Sequence, residues 1–462
     1  MKIKMEKAFL NKVFFIAIPI IIQNFITSSL NIIDTMMIGK LGETEIASVG
    51  IANQYFFLLN IIIMGLFSGI GIFVSQYYGK RDIKSIRKLV GVGIVSALII
   101  GIIFTFFARV MPDSIIGLFN TDSRVIKLGS DYLVIVSLSY VFTAISFNYS
   151  IASRCVEKTV VPMVASSIAL LTNTFLNWVL IFGNLGAPEM GVKGAAYATL
   201  VARILEFLIM VSYIYYSKSP LAGNLKELLA FDFKFVKRII NTVIPVVLNE
   251  ACWGFGSVMY NVIYGRIGTG AIASVQIATT INNLFMVIIF GVGNAALVMV
   301  GNQVGRGDNK KAMEYGNNSI LLGCLVGAAV AILLSVSANA VVGIYDVSDQ
   351  VKDWAKAILY VSSLVMVIRV YNIIAIVGVL RGGGDAKVSF AIEGLTMWCI
   401  GVPLAILGAF VFNLPVYLVY ALCTFEEIVK GIACFFRIRS KKWIKNLVHD
   451  ENDIEEVVNL QE

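Results

Sequence analysis

Long apolar runs separated by short polar connectors recur from one end of the chain to the other. Windows of about 19 residues place them near 13–38, 46–76, 89–110, 131–152, 160–183 and 194–216, and again near 239–264, 272–303, 317–344, 356–380, 388–412 and 415–436. Each is long enough to cross roughly 30 Å of hydrocarbon as a helix. The short alternating pattern of barrel strands is missing. The pattern therefore predicts an all-α polytopic membrane protein with twelve transmembrane helices. The runs at 46–76 and 272–303 are long enough to include turns beyond the bilayer. The first run exceeds the apolar core of a signal peptide and no small-residue cleavage site follows it, so it is read as the first membrane helix.

The two sets of six are related. Pro19 and Pro245 are 226 positions apart, as are Gly39 and Gly265, Gly42 and Gly268, Gly79 and Gly305, and Asp82 and Asp308. IASVGIA from Ile46 recurs as IASVQIA from Ile272, and Arg154 and Arg381 match at 227. Chance readily repeats Ile and Ala in an apolar chain, but not Pro, Gly and Asp in one register. An even number of helices per half makes both halves enter the membrane from the same side. Two six-helix bundles about an axis along the membrane normal follow, which is a transporter's plan. The expected organisation is an N-lobe over 1–216, a cytoplasmic linker over 217–238, a C-lobe over 239–436 and a cytoplasmic tail over 437–462. Most of the 37 Lys and Arg lie before the first run, in Lys80–Lys88, Lys218–Arg238 and Arg437–Lys445, or in other connectors of that same side. The positive-inside rule then puts both termini in the cytoplasm of a cell inner (plasma) membrane protein.

Composition agrees: 58% of residues are hydrophobic and 14% charged, against about 25% charged in a soluble domain. The formal charge of +8 is spread through short connectors, with no basic domain for nucleic acid. The six cysteines lack CxxC spacing and read as small buried hydrophobes rather than disulfides or metal ligands. The single histidine, His449, sits in the polar tail, which removes His-based catalysis and His-rich metal sites.

The chain resembles the MATE (multidrug and toxic compound extrusion) family over Val13 to Trp443. The resemblance is carried by IIDTMMIGKLG and SQYYGKRD, then by RCVEKTVVPMV from Arg154, NTFLNWVLIFG and PEMGVKGAAYATLVARILE. IPVVLNEACWGFG, GNQVGRGD and LRGGGDAKVSFAIEGLTMWCIGVPLA carry it in the second half. It implies two six-helix lobes forming a V that opens alternately to either side. It also implies antiport of organic, often cationic, small molecules against protons or sodium by a monomer, with no cofactor beyond the coupling ion. In related members an Asp on helix 1, Asn and Asp on helix 5 and a Thr on helix 6 form a cation site. The matching residues are Asp34, Asn173, Asn177 and Thr199, with Asn177 standing where that subgroup has a second carboxylate.

Ionisable residues inside a membrane are functional candidates by default. Glu250 lies near the middle of helix 7, with Val246, Val247, Trp253 and Gly254 at its i±3 and i±4 positions, so no local cation neutralises it. One carboxylate can hold a proton or a cation but not both, and that exclusion is the chemistry of antiport. The resemblance also assigns it a cation-ligand role, while the plain alternative is a protonated Glu hydrogen-bonded to a neighbouring helix. Asp34 could equally be solvated from outside. Asn173 and Asn177 share a helix face at i,i+4. Helix 10 offers Arg369 and Asn372 where some members have an Asp, and Arg369 is a candidate partner for Glu250 or Glu393. Arg203 and Glu206 read as an i,i+3 pair, and Lys430 as a partner for Glu426 or Glu427. Pro19 marks a kink or a bending point. The loop RGGGDAK from Arg381 lacks Walker spacing and reads as a turn between helices.

Three other readings share these data. A lipid-linked oligosaccharide flippase would keep the fold but carry extra helices and a more basic cavity. A channel would need a repeated selectivity element, and an intramembrane enzyme a catalytic motif. Neither is visible.

Overall fold

The computed structural model describes residues 6–448, all of whose regular elements are helices. The first six membrane segments are α1 (Lys7–Gly39), α2 (Glu43–Lys80), α3 (Ile83–Val110), α4 (Ser123–Val136 with Ser139–Cys155), α5 (Val160–Phe182) and α6 (Val192–Tyr216). The second six are α7 (Phe233–Ile267), α8 (Thr269–Gly305), α9 (Asn309–Val342), α10 (Asp349–Leu380), α11 (Ala386–Val411) and α12 (Val416–Arg439). Among the described residues, ten of these are long and apolar enough to cross a membrane, and the two pieces of α4 together make an eleventh. α12 has the length but carries Glu426, Glu427 and Lys430 in its midst.

The helices overrun their apolar runs on the basic side. α1, α3 and α7 each begin six residues early, because a helix satisfies its own backbone and need not stop where the hydrocarbon does. α4 departs from a straight span and bends by 51° between its pieces. Ser137 sits at the bend, donating its hydroxyl to the Val134 carbonyl while its own carbonyl accepts from Thr105, so side chains there replace part of the helical ladder.

The repeat is visible in the backbone. Asp82 caps α3 by accepting from the Ser85 N–H, and Asp308 caps α9 by accepting from the Lys311 N–H. Just before these caps, Arg81 and Gly307 both have positive φ, 63° and 79°. After α4 and α10, Glu157 and Gly384 do the same at 60° and 88°, one residue before Lys158 and Asp385 donate back to the carbonyls of Ser153 and Leu380. The spacing grows from 226 to 227 between these two places. α10 ends in a π-helical stretch, Ile374–Leu380, the usual way for a helix to absorb one extra residue.

Two compact units emerge. One holds the described residues up to Ile21, Ser75–Arg81 and everything from Ile240; the other holds Ile22–Val74 and Asp82–Ile239. The chain thus passes from one unit to the other within α1, two residues beyond Pro19, and again within α2. The linker groups with the first half because it packs on α3. The Leu228 carbonyl lies against Gly91, where a Cβ would be 1.8 Å away, and Arg87 pairs with Glu227 at 2.8 Å. The Asn224 N–H, followed by Arg87, holds the Glu227 carboxyl below its ordinary range.

Within the other unit, the end of α2 crosses the end of α8 at two repeat-related glycines. A Cβ on Gly79 would lie 2.1 Å from the Asn302 carbonyl oxygen, and one on Gly305 would lie 1.8 Å from that of Gln76. Only glycine permits such an approach. The start of the tail packs into this same unit. Trp443 is 1% exposed, Lys445 donates its backbone N–H to Gly383, and Leu447 donates to the Gln76 side chain. The rest of the expected tail, His449 included, lies outside the described residues.

Candidate functional site

Four residues of the first-half cluster form one hydrogen-bonded string. α1 supplies Asp34, α5 supplies Asn177 and Asn173 one turn apart, and α6 supplies Thr199. The Asn177 amide donates to Asp34 at 2.5 Å and to Asn173 Oδ1 at 3.0 Å, and the Asn173 amide donates to Thr199 at 3.3 Å. Asn177 is fully buried, and its own Oδ1 has no donor among the described residues. The string therefore offers oxygens of the kind hard cations prefer, one carboxylate charge and one unfilled acceptor. Sequence reasoning missed Tyr132 of α4, a buried residue beside Thr199. Arg203 pairs with Glu206 at 2.8 Å and also attracts Asp34.

Glu250 is not alone. Its Oε1 accepts from Arg381 Nη1 at 2.7 Å, and the other arm of the same guanidinium reaches the Asn249 side-chain oxygen. Arg381 is 4% exposed, whereas the Glu250 side chain keeps 17%. Asn249 in turn donates to the Ser389 carbonyl at 3.4 Å, which orients its oxygen toward Arg381. The cation expected of Arg369 thus comes from Arg381, which stands at the end of α10, where the sequence suggested only a turn between helices. Contact across 131 residues leaves no trace in local spacing. The available signal was the match of Arg381 to Arg154.

Arg369 belongs elsewhere. It faces Glu427 at 3.5 Å, and Asn372 donates to the Glu427 carboxylate at 2.7 Å. Glu393 pairs with Lys430 at 2.9 Å, closer than the 3.7 Å and 3.9 Å separating Lys430 from Glu426 and Glu427. Glu426 also accepts from Tyr260 at 2.9 Å. Arg369, Asn372 and Glu393 therefore gather with the α12 charges in one buried network of three carboxylates and two cations, apart from the Glu250 pair.

A family model described as MatE matches residues 19–179 and 245–407. The chain belongs to the MatE family. As a MatE protein it is a multi-pass membrane transporter and not an enzyme. Similar proteins include the probable multidrug resistance protein NorM of Thermotoga maritima, 22% identical over 96% of this chain and 95% of that protein. The uncharacterized transporter YisQ of Bacillus subtilis is 23% identical over 92% and 93%. Among solved structures, a MOP superfamily transporter from Pyrococcus furiosus described as having a reversed-polarity binding pocket matches at a TM-score of 0.85, with 18% identity over 95% of this chain and 96% of that one. A MATE in the bent conformation matches at 0.85 and 18% over 95% and 99%. These share the MatE fold of two six-helix lobes.

Proposed function

We propose that this protein is a secondary active antiporter that exports small organic, chiefly cationic, molecules from the cytoplasm against protons or sodium. It works as a monomer with both termini cytoplasmic. The observation that carries the reading is a carboxylate present in one half only. Both units hold an arginine on a side-chain amide: Arg154 on Gln23 at 2.6 Å, and Arg381 on Asn249. Gln23 and Asn249 are 226 positions apart, so the next residue, Glu250, corresponds to Asn24. In the first half the arginine touches the amide alone, and the nearest carboxylate along its hydrogen bonds, Glu206, is reached only through Ser166, so a carboxylate directly on the arginine is particular to the second half. The charge of Glu250 adds a group that can exchange one positive partner for another.

The string Asp34–Asn177–Asn173–Thr199 supports a second coupling position with a single charge. Relatives described as probable multidrug resistance proteins support organic substrates over a lipid-linked cargo. The test is efflux of ethidium from cells expressing wild-type protein or Glu250→Gln at matched membrane levels. Export that disappears in Glu250→Gln supports coupling at Glu250. Export that persists there and disappears in Asp34→Asn moves coupling to the first half. Wild-type protein that never exports any organic cation overturns the substrate class.

A further inference from the structure

The two arginine–amide contacts also say something about Arg381 itself. In the first half, Arg154 rests on Gln23 and pairs with no carboxylate among the described residues, and Gln23 is oriented by donating to Ser150 at 3.3 Å and Ser166 at 3.1 Å. In the second half the same kind of amide holds one arm of Arg381 while Glu250 holds the other. The protein therefore contains both arrangements: an arginine held by an amide alone, and an arginine held by amide and carboxylate.

We propose that Arg381 is the resident counter-cation of the Glu250 site. Its guanidinium occupies Glu250 when no coupling cation is bound, and rests on the Asn249 amide when a proton or sodium ion takes the carboxylate. This builds on the coupling role assigned to Glu250 above and adds the element that sets its affinity. A carboxylate oxygen filled by a guanidinium at 2.7 Å is closed to another cation. Arg381 is buried while Glu250 keeps 17% exposure, so leaving the buried guanidinium without its partner is costly and the incoming cation binds against the resident one. The amide lowers this cost, because the displaced guanidinium keeps a hydrogen-bond acceptor and does not have to leave the protein. Arg381 acts through Glu250 and is in that sense a positioning residue.

Other charged groups near the loop are committed. Asp385, four residues on and fully buried, takes Arg437 and Lys445, each at 2.6 Å. Glu393 of α11 takes Lys430. Neither carboxylate is free to draw Arg381 away, and none of the three cations is free to replace it.

The experiment measures initial rates of ethidium transport by full-length protein in proteoliposomes, titrating protons without sodium and sodium at fixed pH. If Arg381 fills Glu250 in about nine molecules of ten, Arg381→Gln lowers the half-saturating concentration of the coupling cation about tenfold. Asn249→Leu removes the resting place and raises it. Shifts in opposite directions are not produced by a purely structural role, which lowers maximal rate alone. The double variant Glu250→Gln, Arg381→Gln should be as inactive as Glu250→Gln, because removing Arg381 acts only through the carboxylate. If Glu250→Gln is inactive but the half-saturation of Arg381→Gln is unchanged, the counter-cation role is overturned while coupling at Glu250 stands. If Glu250→Gln transports normally with wild-type cation dependence, the underlying coupling role fails first. Should Arg381→Gln not accumulate, Asn249→Leu decides: a raised half-saturation supports the proposal and an unchanged one overturns it.

Discussion

Replacing Lys430 by Met should be the most damaging single change in the buried network of α10, α11 and α12. The ammonium lies 2.9 Å from Glu393, 3.7 Å from Glu426 and 3.9 Å from Glu427, and Lys430 itself is 4% exposed. At an effective dielectric of about 20, the 2.9 Å contact alone represents about 6 kcal/mol of Coulomb attraction, and the other two about 4 kcal/mol each. Most of that is offset by the desolvation of the ammonium, so the sum is no measure of net stability. The loss after substitution is different. Among the described residues, three carboxylates would remain with Arg369 as their only cation, and breaking a buried pair of this kind costs about 3–5 kcal/mol. The assay is unfolding in mixed micelles followed by tryptophan fluorescence, for wild type, Lys430→Met, Glu393→Gln and the double variant. The double variant should be more stable than Lys430→Met, because it removes the nearest stranded charge. A loss below about 1 kcal/mol for Lys430→Met, the scale of a solvated surface pair, would refute the reasoning and mean that water reaches the network.

Further expectations concern packing and the first-half cluster. Gly305→Ala places a Cβ 1.8 Å from the Gln76 carbonyl oxygen and should cost about 1–3 kcal/mol, seen as a lowered unfolding midpoint. Gly50→Ala, which meets nothing within 4 Å, is the control and should not lower it. Trp443→Ala empties a site in which the indole is 1% exposed and donates to Ile438. It should cost about 3–5 kcal/mol in the same assay, and an unchanged midpoint would mean that the tail contributes nothing to that unit. Asn177→Leu removes both donors that reach Asp34 and Asn173 while keeping the volume close. Isothermal titration of sodium into the purified protein should then show weaker binding if the string holds a cation, and equal binding if it does not.

Much of the architecture was legible without coordinates. Within hydrocarbon a backbone must satisfy its own hydrogen bonds, so an apolar run of sufficient length is already a helix, and the twelve spans could be placed to within about two turns. The 226-residue spacing of Pro19 with Pro245 and Gly79 with Gly305 likewise announced two halves, since a repeated backbone requirement repeats the residue that meets it. The Asn173–Asn177 contact was readable because i,i+4 neighbours meet whatever surrounds the helix. What the chain alone could not say was which charge meets which. Glu250 meets Arg381 rather than Arg369, Lys430 prefers Glu393 over its own-helix neighbours Glu426 and Glu427, and Tyr132 joins Thr199. Nor could it foresee that the ends of α1 and α2 would group with the second half, or that Trp443 would be buried. Those outcomes depend on the rotation and depth of whole helices, set by close contacts such as Gly79 on Asn302. A local pattern specifies a helix, but only the packing of several helices brings an arginine and a glutamate 131 residues apart to 2.7 Å.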